Sequence, residues 1–466
     1  MNPFTRRRLL KGALLGSALA GVVPRAAGNE STEPSRASAS ESLPWHNWSG
    51  GQSAQPAGRF TPGSEEELIQ FLGRDSVALR PVGSGHSFSA LVPTNGHIVV
   101  LDRFTGMRSH DPASLQATLG AGIRLAEAGP VLEEVGQAMF NLPDIDRQTL
   151  AGAISTATHG TGLGLNTLSA YVTGLRLVTP TGKVLELDAA KEPSLFAAAQ
   201  VSLGALGFVT EVRLRNRAAY RLKKRSWIAP TEEVLATFAA QAKAHRHFEM
   251  FPLTHSKYAS VQAIDETDEP IHHPQPPPDE PDAYDELMRS LTSLPVAARG
   301  PIIDAAVAAT PESEPVVDVS YRILSNVRNY RFNEMEYSVP LDAGGPCVLE
   351  ILRTIEEKQI DVVFPLEYRY VAGDDLWLSM FSGGPRASIS VHRDARFDYR
   401  PYFDVVEPIF WKYGGRPHWG KVHSLKYPQL SALYPHLRDF LEMRAALDPT
   451  GRMLNDHLRG LFGITT

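Results

Sequence analysis

Three stretches of this chain gather side chains able to do chemistry. Glu367-Tyr368-Arg369 sets a carboxylate and a guanidinium two residues apart. On a strand both point to one face, about 6–7 Å apart. Such a carboxylate orients hydroxyls or takes a proton, and the guanidinium stabilises an anion formed beside it. Alone, Glu-x-Arg is more often an ion pair on a solvated face. Arg416-Pro417-His418-Trp419-Gly420-Lys421 places a histidine, an indole and a lysine in one turn, stiffened by Pro417 and freed by Gly420. Lys421 suits a developing oxyanion. His418 is a second candidate there, as a reacting group or as the residue that shapes the turn. The third stretch is Gly83-Ser84-Gly85-His86-Ser87-Phe88, which follows an apolar run.

That glycine turn imitates a dinucleotide fingerprint, but Phe88 stands at the third glycine position and the Rossmann pattern fails. Gly83 and Gly85 still let backbone N–H groups approach a pyrophosphate, and Ser84 and Ser87 add hydroxyl donors. A histidine fixed there can attack an activated flavin methyl and form a covalent link. The competing reading is a plain strand-to-helix turn with a solvated histidine. A second small-residue stretch, Gly152 to Gly162, carries Ser155, Thr156, Thr158, His159, Gly160 and Gly162. It can lie along a cofactor and donate hydrogen bonds without bulk. It has no Walker lysine, which argues against nucleotide hydrolysis. No metal site is expected. His272-His273 reads as a solvated pair, and Asp374-Asp375 as a turn or cap.

The elements that must position these groups follow from periodicity and caps. Ser64 before Glu65-Glu66-Glu67 starts a helix. Val77 to Val82, His97 to Leu101, Leu115 to Leu119 and Val209 to Arg215 read as strands, and Ser194 to Gln200 as a helix. A helix from Leu125, interrupted at Pro130, is expected to reach Met139. Tyr171 to Val178 and Lys183 to Leu187 flank Thr179-Pro180-Thr181-Gly182 as a hairpin. Beyond about residue 218, Thr231 to Ala244 and Ala283 to Ser293 read as helices. His247 to Phe251, Met335 to Val339, Val362 to Tyr370 and Ala387 to His392 read as strands. Asp265 to Pro281 reads as a Pro-rich surface loop. This mixture predicts an α+β fold, not a regular doubly wound sheet.

At 466 residues, 43% hydrophobic and 21% charged, the chain has the size and composition for two or three domains with real cores. A net charge of −6, with no basic run after the first dozen residues, argues against nucleic acid as a partner. No apolar run is long enough to span a bilayer. Thr5-Arg6-Arg7-Arg8-Leu9-Leu10-Lys11, the apolar run Gly12 to Val23 and small residues after it form a twin-arginine export pattern. It predicts passage through the twin-arginine translocon to a periplasmic or extracellular site. Residues 29–44 look like a tether. The one cysteine, Cys347, reads as a small core residue and cannot form an internal disulfide.

Together the motifs resemble the sugar-lactone and alditol oxidase branch of the vanillyl-alcohol oxidase (PCMH-type) flavoproteins. The resemblance rests on Trp45-His46-Asn47-Trp48-Ser49-Gly50, Val82 to Ser87, Gly152 to Gly162, Glu334-Met335-Glu336-Tyr337, Glu367-Tyr368-Arg369, Gly373 to Ser379, Arg416 to Lys421 and Asp448 to Asn455. It implies a PCMH-type two-subdomain FAD-binding domain over residues 45–217 and an α+β cap domain over 218–447. Residues 448–466 would return to the FAD domain, and residues 1–28 would be the export signal. It implies FAD bonded covalently to His86, with Gly83 to Ser87 and Ser155 to Gly162 along the cofactor. Glu367, Arg369, Lys421 and, less directly, His418 would face substrate and flavin. The expected reaction moves hydride from a sugar-lactone or polyol C–OH to flavin N5, with dioxygen as acceptor. Ala121, in Gly120-Ala121-Gly122, is a candidate oxygen gate, so a cytochrome or quinone acceptor stays open. Two other readings remain: a flavin dehydrogenase of hydroxy acids, and an exported sugar-binding protein on a vestigial flavin fold.

Overall fold

Alternation of polar and apolar residues governs the largest element, an antiparallel sheet of eight strands. Their order is Val316–Val319, Arg221–Pro230, Tyr258–Thr267, His247–Pro252, Glu367–Val371, Arg386–Asp394, Phe332–Pro340 and Arg416–Pro417. Phe248, Met250, Met335, Tyr337, Tyr368, Tyr370, Ile389 and Val391 occupy one face. Helices Thr231–Ala244, Leu341–Glu357 and Arg400–Lys412 cover it. The opposite face carries Glu249, Glu334, Glu336, Glu367, Arg369, Ser388, Ser390 and His392. All but Glu249 and His392 are buried, and those two are half-buried, so this ionisable face is roofed as well. Burying so many charges is costly unless each is paired.

The roof is the amino-terminal half, built on two smaller sheets. Gly58–Phe60, His97–Val100 and Leu79–Val82 form a parallel sheet. Val184–Leu187, Val172–Val178, Phe208–Arg215, Gln116–Gly120 and Met107–Asp111 form an antiparallel one. This mixture of helices and sheets is the α+β arrangement expected. The computed structural model describes residues 43–74, 77–274, 290–308, 310, 313–326, 328 and 330–465. The expected export signal, most of the tether, the Pro-rich stretch from residue 275 and most of the helix Ala283 to Ser293 lie outside these residues. No helix of the described residues is long and apolar enough to cross a membrane.

Several local expectations hold to within a residue. Ser64 caps Glu65–Leu72 by accepting from the Glu67 N–H, and the helix Thr231–Ala244 has the expected bounds. Others need correction. The helix at Leu125 keeps Pro130 but ends at Glu133, and Gln137–Ala138 turns into a short strand. The strand expected from Val362 begins only at Glu367. Asp265 to Thr267 belong to a strand and not to a surface loop, because they pair with Arg221 to Lys223. Cys347 is buried in the helix Leu341–Glu357.

The two halves are sewn together by backbone. The Gly162 N–H donates to Tyr370 O at 2.8 Å and the Ala372 N–H to Leu165 O at 3.1 Å. The small-residue stretch of one half thus abuts the strand bearing Glu367 and Arg369. After the His418–Lys421 turn the chain is back on the amino-terminal half. There the Phe88 N–H donates to Gly420 O at 2.7 Å, and helix Leu437–Leu447 packs on Pro193–Gln200.

Candidate active site

A cleft of about 520 Å³ opens in the amino-terminal half, within the ~300–1,000 Å³ range of small-molecule sites. Gly83, Ser84, Gly85, His86 and Ser87 form one wall, and Gly152, Ser155 and Thr156 another. The turns come close where glycine leaves out a side chain. A Cβ on Gly83 would collide with Thr149 Oγ1, and Gly85 has φ +67°. Ala121 and Gly122 close a third side.

His86 stacks on Trp48, with ring centroids 4.6 Å apart. Its Nε2 is buried and has no hydrogen-bond partner among the described residues. Burial, with a contribution from Lys421, pushes its pKa down to about 4, so the imidazole is neutral at physiological pH. Neutral imidazole with an unengaged nitrogen is the nucleophilic form.

The second glycine-rich stretch divides between two jobs. Gly152, Ser155 and Thr156 face the cleft, and Thr158 accepts from Gln148, itself a cleft residue. The remainder turns to the ionisable sheet face. His159 Nε2 lies 2.6 Å from Glu336 Oε1, Gly160 lines a separate cavity of about 20 Å³ beside Arg369, and Gly162 bonds the strand at Tyr370. His159, Gly160 and Gly162 therefore join the two halves, whereas the cofactor-contact expectation put them along the cleft.

Glu367, Arg369, His418 and Lys421 do converge. Arg369 Nη1 lies 2.7 Å from Glu367 Oε1 and Nη2 lies 3.7 Å from Glu336. Lys421 Nζ pairs with Glu334 and lies 4.0 Å from Glu336. Ser388 Oγ donates to Glu336 Oε1 at 2.6 Å. His418 Nδ1 accepts from the Gly420 N–H at 3.0 Å, and burial pushes its pKa down to about 3. It is a neutral turn-shaping group here.

Three carboxyls thus share two cations. Burial would raise all three, but Lys421 outweighs it at Glu334, and His159, hydrogen-bonded to it, together with Arg369 outweighs it at Glu336, so both stay anionic. Glu367 is the exception. Burial, with Glu249, Asp144 and Glu334 adding to it against Arg369, pushes its pKa up to about 8. At neutral pH it keeps its proton; slightly above, it is a base. Burial pulls Arg369 down, but Glu367, Glu336 and Glu249 reverse that and hold it charged. His159, Glu336 and His418, and likewise Glu334, Glu367 and His392, bring atoms of metal-ligand type within 4.8 Å of one another. Among these side chains, Glu336 already bonds Ser388, His418 the Gly420 N–H, Glu367 Arg369, and Glu334 Lys421.

Arg369 Nε and Ser390 Oγ, both buried, have no partner among the described residues on this face. Buried polar groups without partners await a ligand or water. The Lys421 turn joins this face to the cleft, since Ser87 Oγ would lie 3.1 Å from a Cβ on Gly420. Sequence reasoning missed Glu334, Glu336, Ser390 and His392 as site residues. The signal was present, because Glu334-Met335-Glu336-Tyr337 alternates charge with core residues along one strand.

A family model described as D-arabinono-1,4-lactone oxidase matches residues 212–461, and one described as FAD binding domain matches residues 56–188. The chain is 32% identical over 434 residues to an L-gulono-1,4-lactone dehydrogenase of Mycobacterium tuberculosis, covering 90% of this chain and 99% of that protein. It is 26% identical to the L-gulonolactone oxidase of Bos taurus (90% and 98% covered) and 27% identical to an alditol oxidase of a Streptomyces species (89% and 98%). Cholesterol oxidase from B. sterolicum superposes with a TM-score of 0.76 at 15% identity, over 90% of this chain and 97% of that one, and establishes the PCMH-type fold alone. FAD is the cofactor, and the cleft fits it: two glycine-containing turns of mostly small residues cradle the space, and the unpartnered His86 Nε2 is at its wall. The chain belongs to the D-arabinono-1,4-lactone oxidase family of FAD-dependent oxidoreductases.

Proposed function

We propose that this protein oxidises a C–OH group of a sugar 1,4-lactone or alditol, with dioxygen as the acceptor and hydrogen peroxide as the second product. The observation that carries this reading is the buried pair Glu367 and Arg369 with the half-buried Lys421 near them, and with Arg369 Nε and Ser390 Oγ unengaged, beside the cleft of His86. A polyhydroxylated substrate offers the oxygen atoms those donors lack.

FAD bound in the cleft supplies the hydride acceptor. The protein's part is orientation and proton handling. Lys421 and Arg369 hold the substrate oxygens by charge-assisted hydrogen bonds. Glu367, with its pKa near the working pH, takes the hydroxyl proton as the carbon is oxidised. Glu334 and Glu336 keep the two cations aimed. Because the polar face is roofed, these interactions act in a low-dielectric space where they are worth more than in water.

His86 is the proposed point of covalent attachment, supported by its neutral, unengaged imidazole. Export through the twin-arginine pathway is part of the proposal, supported by the Thr5 to Lys11 pattern. Loading FAD before export and fixing it by a covalent bond would suit a compartment with little free cofactor. A second acceptor is favoured by one feature: Ala121, fully buried, stands on the cleft wall where a smaller residue would admit oxygen. Electrons would then pass to a cytochrome or quinone.

The test is direct. Purified protein, denatured and run on a gel, should fluoresce as a flavoprotein, and His86→Ala should not. Under nitrogen, gulonolactone, galactonolactone, arabinonolactone or xylitol should bleach the bound flavin. Peroxide formed on readmitting air separates oxidase from dehydrogenase. A yellow protein that none of these substrates bleaches would remove the proposal.

A further inference from the structure

The segment Trp45–Ser49 runs beside the His86 turn and reaches the cap. The Trp48 N–H donates to Gly85 O at 2.8 Å, and Asn47 Nδ2 donates to Ser87 O at 3.0 Å. The Trp48 indole lies on the His86 imidazole at an interplanar angle of 24°. Its other contacts are edge-on to Phe88, with centroids 6.2 Å apart, and to Phe332, at 5.2 Å. Phe332 begins the strand that carries Glu334 and Glu336, and Ser49 Oγ donates to Asn333 Oδ1 at 2.8 Å on the same strand.

We infer that Trp48 is the positioning residue for attachment of the flavin to His86, and that it couples this attachment to docking of the cap strand through Phe332. The inference rests on the covalent reading of His86. An imidazole with no hydrogen bond at Nε2 has nothing polar there to fix its ring plane. Stacking supplies that restraint, and aromatic pairs of this kind are worth about 0.5–1.5 kcal/mol beyond area burial. Trp48 is held in turn by a backbone hydrogen bond and by two phenylalanines, one from each half of the molecule.

Attachment forms one bond between a His86 ring nitrogen and the carbon of the flavin's 8α-methyl group, and breaks one C–H bond at that carbon. The imidazole N–H and the methyl group each release a proton. Two electrons remain on the flavin, and dioxygen removes them with two protons as hydrogen peroxide. Bond formation needs the nitrogen lone pair aimed at the methyl carbon, which is a matter of ring orientation. A misplacement of about 1 Å can cost on the order of 10²-fold in rate.

The experiment mixes flavin-free full-length protein with FAD and follows two quantities. Total bound flavin is read by absorbance after desalting. Attached flavin is read as the fraction that stays with acid-precipitated protein and fluoresces on a gel. Trp48→Leu should attach flavin at least ~10-fold more slowly than wild type, while binding a similar total amount. Trp48→Phe, which keeps a ring for stacking, should recover most of the rate. Phe332→Leu should fall between them. Wild-type rates in Trp48→Leu would overturn the inference. Should Trp48→Leu fail to fold, Phe332→Leu decides alone, and attachment at the wild-type rate again overturns it. If acid frees the flavin from the wild-type protein, it is the covalent reading of His86 that fails, and this inference falls with it.

Discussion

Glu367 shows how one residue acquires its chemistry from where it is buried. Arg369 is 2.7 Å away and favours the carboxylate, yet burial and three further acids push the pKa up to about 8. Turnover of the proposed sugar-lactone or alditol substrate by wild type should rise as pH climbs through that region, as the carboxyl becomes a base. In Glu367→Gln the rise should vanish and kcat should drop by about 10²–10⁴-fold, the usual contribution of a positioned base. Steady-state rates across the pH range check both. The same residue has a stability signature. Its folded pKa lies above the ordinary 4.5, so the folded state binds the proton more tightly than the unfolded chain. Stability therefore falls as pH rises from about 4.5 to about 8. The Tm of Glu367→Gln relative to wild type should climb over that same window. A pH-independent difference would mean that Glu367 is ionised throughout.

At the scale of elements, the two glycine-rich turns are one structure. Thr149 caps the helix Leu150–Ile154 by accepting from the Gly152 N–H, and the same hydroxyl fills the space where a Cβ on Gly83 would be. Gly83 does not have a positive φ, so alanine there suffers only the collision with Thr149. Gly83→Ala should cost about 1–3 kcal/mol by overpacking. Thr149→Ala should cost about 1 kcal/mol through the lost cap. The double variant should cost less than the two together by at least ~0.5 kcal/mol, because loss of the Thr149 hydroxyl vacates the contested space. Urea titrations of the four proteins measure it, and strict additivity would refute it. Motifs of this kind are legible in sequence because a turn's demands are local. Glycine spacing marked Gly83 to Ser87, and period-two alternation put Glu367 and Arg369 on one face. The union of the turns through Thr149 was not legible, since it depends on a contact across 66 residues. Glu334 and Glu336 escaped for a related reason. Charge alternating with core residues reads as a half-solvated strand, and only the roof formed by His159 and its neighbours shows that the polar face is buried as well.

The whole molecule closes on a buried arginine. Arg80 is 2% exposed and lines the cleft, yet it has no carboxylate partner among the described residues. Its guanidinium donates instead to the carbonyls of Leu91, Leu203, Gly204 and Met453, joining chain segments up to 373 residues apart. Burial pushes its pKa down to about 9, which still leaves it charged at neutral pH. The Met453 carbonyl belongs to a segment fastened by other bonds. Asp448 accepts from the N–H groups of Arg452 and Met453, Asn455 Nδ2 donates to Ala90 O and Pro93 O, and the Leu79 N–H donates to Arg452 O. These bonds clamp the end of the described chain onto the strand Leu79–Val82, which runs directly into the His86 turn. The flavin turn is thereby braced by residues that lie beyond the whole eight-stranded sheet in sequence. Arg80→Met keeps the bulk but strands several buried carbonyls, each unsatisfied acceptor costing about 1–3 kcal/mol. It should lower stability by at least ~3 kcal/mol and open the segment 448–465 to limited proteolysis under native conditions. Arg80→Lys should recover only part of the loss, because three donors on one nitrogen cannot reach carbonyls that the guanidinium meets through three separate nitrogens. If Arg80→Met melts like wild type and its terminal segment resists the protease, the clamp is not what holds that segment down. The bracing of the flavin turn must then come from the remaining bonds, those of Asn455 to Ala90 and Pro93 and of the Leu79 N–H to Arg452 O.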